Sequence, residues 1–421
     1  MGKKMAEIKA YDQAAGTGRY ERASGLSGKY DNVRRFWEDQ LTGIFLRPVL
    51  NELIDHKRKR LERLRILDLG CGSGDGFELI MAVTSKDPAL YDHIHQAITP
   101  DMFQDYLGVD INDNLLEQAR RYYGDNPKMR FKKVDINHGL TFKEDEAPFD
   151  IYLTSYGTMS HFHDEQAVKI ISDICCHAPD KAIFIGDWLG RYSYEWQDLW
   201  HKPADDEYFM DYRISYIYPP EERNREDIPA FPLRLMTKGE ILSLIDQVRE
   251  RTGITIRPVT FFDRSIMVGR HLETGDYNPH CPDLRLPINS LFESYTRTDL
   301  ERLLVDFVPR QGFDHLNAFF ESFFTSSNTL IEHTIAMLAG FNNGDLTTRV
   351  EPYYPEPLIE AIHTMRQVVE VAGLLKYGDP RANIIEPHLG YSLRKLEMDL
   401  APGTGMGHSL VGIFEIVKES R

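Results

Sequence analysis

The stretch LRILDLGCGSGDGFELI (64–80) constrains this chain more than any other. Ile66 to Leu69 form a short apolar run broken by one acid, Asp68. Glycines follow at 70, 72, 74 and 76, and FELIMAV then resumes the apolar spacing of a helix. A strand, a glycine-rich turn and a helix N-terminus in that order make a nucleotide-binding crevice at the edge of a parallel sheet. A dinucleotide fingerprint starting at Gly70 needs glycine at 75, where Asp75 stands. One starting at Gly72 needs Gly or Ala at 77, where Phe77 stands. An NAD-dependent dehydrogenase is thereby the weakest reading.

The strands that follow share one plan. DYLGVDINDNLLEQARRYY (105–123) gives a strand ending at Asp110 and then a helix; a carboxylate there can accept hydrogen bonds from both hydroxyls of a ribose. MRFKKVDINHGL (129–140) gives a third strand ending at Asp135, PFDIYLTSYG (148–157) a fourth, and KAIFIGDW (181–188) a fifth. Five strands alternating with helices predict an α/β, doubly wound parallel sheet. The pattern hhDhGxGxG, with acids closing the next strands in order, resembles motif I and its sequel in class I S-adenosylmethionine (SAM)-dependent methyltransferases. That resemblance spans residues 60–272 and implies a seven-stranded methyltransferase sheet. Its last two strands would be the antiparallel hairpin read in ITIRPVTFFDRSIMVGRHLE (254–273). It also implies methyltransferase activity with SAM as cofactor. Asp68, Gly70, Gly72 and Gly74 would then lie near its amino-acid and ribose portions, with Asp110 and Ile111 at the ribose. Asp135 and Ile136 would face the adenine, and Ser155 and Tyr156 would complete the cofactor site.

Methyl transfer from a sulfonium is an in-line displacement, so the enzyme aligns nucleophile and methyl in a dry pocket. An acidic nucleophile also needs a base. The pocket is expected beyond the ends of the fourth and fifth strands. SYGT (155–158) lacks the [N/D]-P-P-[Y/F] motif of DNA-amino and protein-glutamine methyltransferases. MSHFHDEQ (159–166) instead resembles the apolar–His pair of many small-molecule methyltransferases, which makes His161 the candidate base, with a structural histidine as the alternative. Asp187, at the end of the fifth strand, is the second catalytic candidate, or else a turn acid. IGDWLGRYSYEWQDLW (185–200) continues into an aromatic, acidic insertion near 196–235 that reads as a lid. Trp188, Arg191, Tyr192 and, from the N-terminal region, Tyr30 are expected on the substrate wall, while Trp196 and Trp200 pack against the added domain. No third separated partner joins His161, His163 and Asp164, so no metal site is expected.

The flanks divide the chain. Residues 1–60 read as an N-terminal helical cover, 61–275 as the SAM-binding domain with insertions near 85–105 and 196–235, and 285–421 as a mostly helical accessory domain ending in a strand. The net charge of −16 would repel a phosphate backbone, so a small-molecule substrate is favoured and nucleic acid is not. No apolar run approaches a membrane span. The start lacks an apolar signal core, and the four cysteines form no disulfide framework; the chain reads as cytoplasmic. The C-terminal region is suited to substrate cover or a homodimer contact. Two alternatives stay open: an RNA-modifying methyltransferase, which needs a basic face, and a catalytically silent scaffold of the same fold that binds a protein partner.

Overall fold

A computed structural model describes residues 2–22, 28–86, 95–201, 207–343, 350–374 and 378–418. Parts of the expected insertions (87–94 and 202–206) and of the glycine- and serine-rich N-terminal loop (23–27) lie outside the described residues. The chain opens with α1 (Gly2–Gly16), and a π-helical turn, Val33–Glu38, runs directly into α2 (Asp39–Lys59). Strands and helices then alternate: β1 (Leu64–Leu69), α3 (Asp75–Met81), β2 (Phe103–Asp110), α4 (Asp113–Tyr123), β3 (Met129–Lys133), β4 (Ile151–Thr154), α5 (Asp164–His177) and β5 (Lys181–Gly190). β1 is buried at every position, as a strand covered on both faces must be. α4 begins where the Asn112 side chain accepts the Leu115 N–H at 3.0 Å, a cap that satisfies an otherwise orphaned donor.

After β5 come β6 (Phe209–Arg213), β7 (Ala230–Met236), α6 (Lys238–Thr252) and β8 (Thr255–Arg264). The helical region follows as α7 (Arg285–Leu291), α8 (Asp314–Asn343), α9 (Glu356–Ala372) and α10 (Glu386–Leu400), and β9 (Ser409–Val417) closes the described chain. The main sheet runs β3-β2-β1-β4-β5-β9-β8. Its first five strands are parallel, and β9 lies antiparallel between β5 and β8. The fold is therefore the expected doubly wound seven-stranded sheet with helical additions.

The expected hairpin at 254–273 needs correction. Only its first half is a strand, and the partner comes from the end of the chain, pairing Thr255 with Val417 through Arg264 with Ser409. At Ser265 the backbone turns into the left-handed region, with φ +63°, and the amides of Ser265 and Met267 donate to the buried Glu397 carboxylate at 3.0 and 2.9 Å. The chain thus leaves the sheet after β8, and residues 265–408 are carried between the two paired strands.

β6 and β7 form a second hairpin on the tip of β5. Leu189 pairs with Ser409 on one edge and with Leu235 of β7 on the other, past the end of β4. One sheet face packs Phe184, Trp188 and Phe414 against α5 and α6, and the other packs Ile183 and Ile185 against Leu50 and Leu53 of α2. A third core joins α8, α9 and α10 to Trp37, Trp196 and Trp200. Trp200 stacks on Phe320 and meets Phe313 edge-on, as the sequence reading expects of it. Among the described residues no helix is long and apolar enough to cross a membrane.

Candidate functional site

One cavity opens at the C-terminal ends of β1, β2, β4 and β5, where an open parallel sheet binds its ligands. Its floor is the glycine turn. Gly72 has φ +51° and donates its N–H to Asp110 Oδ2 at 2.8 Å; a side chain there would be strained. Asp110 closes β2, and its other oxygen accepts the Asn112 N–H at 2.8 Å, so the carboxylate is held fixed at the cavity rim. Burial pushes its carboxyl upward, opposed chiefly by those two amides. Asp135 follows β3 and accepts from Asn137 N at 3.2 Å and Nδ2 at 2.7 Å, presenting Ile136 beside it.

Gly70, Gly72, Asp110, Ile111, Asp135, Ile136, Ser155, Tyr156 and His161 all line this cavity. Asp68 and Gly74 do not. The Asp68 carboxylate lies beneath the turn, accepting from Tyr106 Oη at 2.7 Å, and Gly76 lacks a Cβ where that carboxylate passes. Burial pushes Asp68 up to about 8. It supports the turn from below instead of facing the ligand space. Gly74 faces the ring of Tyr123.

The expected acceptor-side residues fare differently. Asp187 is buried, pairs with Arg264 at 2.7 Å and accepts the Tyr156 N–H at 2.7 Å. That amide belongs to a non-glycine residue at φ +55°, so Asp187 and Arg264 hold a strained turn in place. Asp187 is a supporting residue with no face on the cavity. Trp188, one residue on, points to the opposite sheet face by the two-residue period of a strand and packs on Phe184 and Phe414. Arg191 is fully buried, bonded to Glu240 at 3.0 Å and His201 at 2.7 Å, and Tyr192 packs edge-on to Trp200. Tyr30 donates to Asp75 behind the lining. None of these four forms the wall.

The wall comes from elsewhere. Ile8 and Tyr11 of α1, Tyr20, Tyr212 and Tyr216 from the β6–β7 insertion, Arg270 and His408 complete the enclosure. Lys29 pairs with Asp75 at its edge, beside Arg34 at 3.4 Å from the same carboxylate, and these cations hold Asp75 well below the usual carboxylate range against its burial. α1 is tied down over the cofactor end, because Asp12 accepts from Asn112 Nδ2 at 2.9 Å and Asn114 Nδ2 at 2.8 Å. Asn112 had a visible signal, two residues after Asp110 and just before a helix. Arg270 and His408 had none, since each flanks an excursion of the chain far from the motifs. Among the described residues no group of three His, Cys, Asp or Glu could hold a metal ion.

A nucleoside with an amino-acid tail fits this donor set: a fixed carboxylate for the ribose diol, a side-chain-free turn for close backbone approach, and charged groups at the far end of the turn. Residues 93–178, from before β2 to the end of α5, match the family model of a methyltransferase domain. No curated protein matches the chain. Among solved structures, the chain is similar to a SAM-dependent methyltransferase from Clostridium acetobutylicum ATCC 824, with 15% identity, covering 60% of this chain and 90% of that one at a TM-score of 0.35. It is also similar to a SAM-dependent methyltransferase from Mesorhizobium loti, with 16% identity, 51% and 82% coverage and a TM-score of 0.30. A sugar N-methyltransferase from Streptoalloteichus sp ATCC 53650 shows 13% identity, 53% and 82% coverage and a TM-score of 0.33. At such scores the superpositions carry none of the assignment, which rests on the family match, the strand order and the turn at the cavity floor. On those grounds the chain carries a class I SAM-dependent methyltransferase domain, with SAM as its cofactor.

Proposed function

We propose that this enzyme transfers the methyl group of SAM to a small-molecule acceptor. The observation that carries the reading is the enclosure of one cavity, with Gly70, Gly72 and Asp110 at one side and Tyr11, Tyr212, Tyr216, Arg270 and His408 completing it. The acceptor is admitted under α1 and the β6–β7 hairpin, a roof that suits a small molecule better than a polymer. Bound SAM supplies an electrophilic methyl on a sulfonium. Asp110 holds the ribose diol, Ile111 and Ile136 flank the adenine with Asp135 at its amino edge, and the backbone at Gly70, Gly72, Ser155 and Tyr156 receives the rest. His161 turns its ring toward the lid: Tyr11 Oη lies 3.3 Å from Nε2, the Glu7 carboxylate lies 3.0 Å from Nδ1, and Phe231 stacks on its face. We assign it to latching α1 closed, which excludes water from the transferring methyl.

Calorimetric titration with SAM and with its demethylated product, S-adenosylhomocysteine, tests the reading. Binding of both in the micromolar range is expected, as is labelled-methyl incorporation into small acceptors but not into total RNA. No binding at high micromolar ligand would remove it.

A further inference from the structure

Resting on methyl transfer as the reaction, we propose that His408, oriented by Glu195, is the base that deprotonates the acceptor, and that the acceptor is a phenol-type hydroxyl. His408 ends the loop PGTGMGH just before β9. That loop wraps the Asp263 carboxylate, which accepts the amides of Thr404, Gly405 and Met406 at 3.0, 2.7 and 2.8 Å. The His408 carbonyl accepts the Gly190 N–H at 3.1 Å, and its own N–H donates to Ser265 at 3.0 Å. The imidazole is thereby pinned at the tip of β5, on the cavity wall.

Its Nδ1 meets the Glu195 carboxylate, and both side chains are almost wholly buried. The other Glu195 oxygen accepts the His271 N–H at 2.6 Å, and Gly269 leaves room for the carboxylate that any Cβ would take. A carboxylate locked in this way holds the proton on Nδ1 and leaves Nε2 with its lone pair free. Nε2 has no hydrogen-bond partner among the described residues. His161 lacks this arrangement, since both its nitrogens face α1.

The wall selects the acceptor. Arg270, which donates to Tyr216 Oη at 3.1 Å and pairs with Glu38 at 3.5 Å, places a permanent guanidinium on the cavity wall, where it can stabilise a developing oxyanion. Tyr11, Tyr20, Tyr212 and Tyr216 offer ring faces and edges to an aromatic acceptor. Acidity points the same way. A phenol, near 10, gives up its proton far more readily than an aliphatic hydroxyl, which is close to water at about 16. In the step, the acceptor O–H bond breaks and its proton passes to Nε2. The oxygen forms a bond to the methyl carbon as the carbon–sulfur bond breaks, its electron pair returning to sulfur. The imidazolium then releases the proton to water.

The charged and titratable groups facing His408 are Glu195 after β5, His271 and Arg270 after β8, and Glu38 before α2. Burial keeps His271 well below its ordinary pKa, so it stays neutral where His408 works.

The test uses the full chain with catechol, 4-hydroxybenzoate and phenol as acceptors and labelled SAM as donor. Wild type is expected to methylate at least one of them. H408Q should lower kcat about a hundredfold with S-adenosylhomocysteine affinity within about twofold of wild type. Glu195 is a positioning residue, so E195Q should cost less, about tenfold, and should move the acidic limb of the pH–rate profile. Added imidazole should restore part of the H408A rate. Independently of turnover, nitrogen NMR of wild-type histidines with S-adenosylhomocysteine bound should show His408 protonated on Nδ1 and bare on Nε2 at pH 7.5. The proposal is overturned by unchanged kcat in H408Q, by a parallel loss of S-adenosylhomocysteine binding, by a proton on Nε2, or by no phenol being methylated while S-adenosylhomocysteine binds. Absence of S-adenosylhomocysteine binding to wild type would instead remove the methyl-transfer reading beneath it.

Discussion

Asp110 and Asp68 are both acids of the glycine-turn crevice, and their surroundings give them opposite tasks. Asp110 stands at the cavity rim with its oxygens fixed by backbone amides, and we propose that it binds the ribose hydroxyls. Removing it in D110A should weaken S-adenosylhomocysteine binding at least tenfold, since hydrogen bonds to a charged group are worth about 1.5–3 kcal/mol. D68N should leave that affinity within about twofold, because its carboxylate faces Tyr106 and not the cavity; calorimetry on both variants separates the two cases. Asp68 shows itself in stability instead. Its folded-state value of about 8 exceeds the unfolded value near 3.9, so the folded chain binds the proton more tightly. The stability it contributes is complete below about pH 4 and is lost as pH rises to about 8. Melting temperature should therefore fall across that interval, and D68N should flatten the fall. Asp187 offers a third contrast. Both it and Arg264 are buried, and breaking such a pair costs about 3–5 kcal/mol, so D187A should unfold at markedly lower denaturant. Each acid was legible in the sequence, Asp110 at the end of its strand and Asp68 and Asp187 within theirs, but its partner was not, and the partner decided its role.

The lid and the hairpins show how elements divide the work. α1 touches the start of α4 through Asp12 and the opposite wall of the cavity through Tyr11, whose ring also packs on Phe231 of β7. Loss of the two Asp12 contacts in D12A removes about 1 kcal/mol of closure, or about fivefold in the open population. Faster hydrogen exchange across α1 and faster S-adenosylhomocysteine release are the expected readouts, with the melting temperature little changed. Most of the parallel strands could be read locally, because β1, β4 and β5 are buried apolar runs. The acceptor side could not. Trp188 lies near the end of β5 and Arg191 follows it directly, yet strand alternation turns one to the far face and Glu240 claims the other. Tyr212, Tyr216 and Arg270 arrive from segments with no motif of their own.

Across the whole molecule, the decisive feature is that β9 sits between β5 and β8 although the helical region separates it from β8 in sequence. Its residues are buried on both faces: Leu410, Phe414 and Ile416 join one core, and Val411 and Ile413 the other. A chain cut before β9 would expose two unpaired strand edges and lose both sets of contacts. Such a truncation should be insoluble or lack cooperative unfolding by circular dichroism, whereas a separable C-terminal domain would leave residues 1–275 stably folded. The helical region is thus anchored at both ends by the sheet, and its return loop is what carries His408 to the cavity. From its primary structure the chain could be assigned an α/β sheet, a glycine-turn cofactor site and the acids that close β2 and β3, because periodicity and turn chemistry act over a few neighbouring residues. The partner of β8, the inward or outward sense of the residues after β5, and the meeting of Glu195 with His408 depended on contacts between distant segments. An apolar strand pattern specifies that a strand is buried, and not which strand will lie beside it.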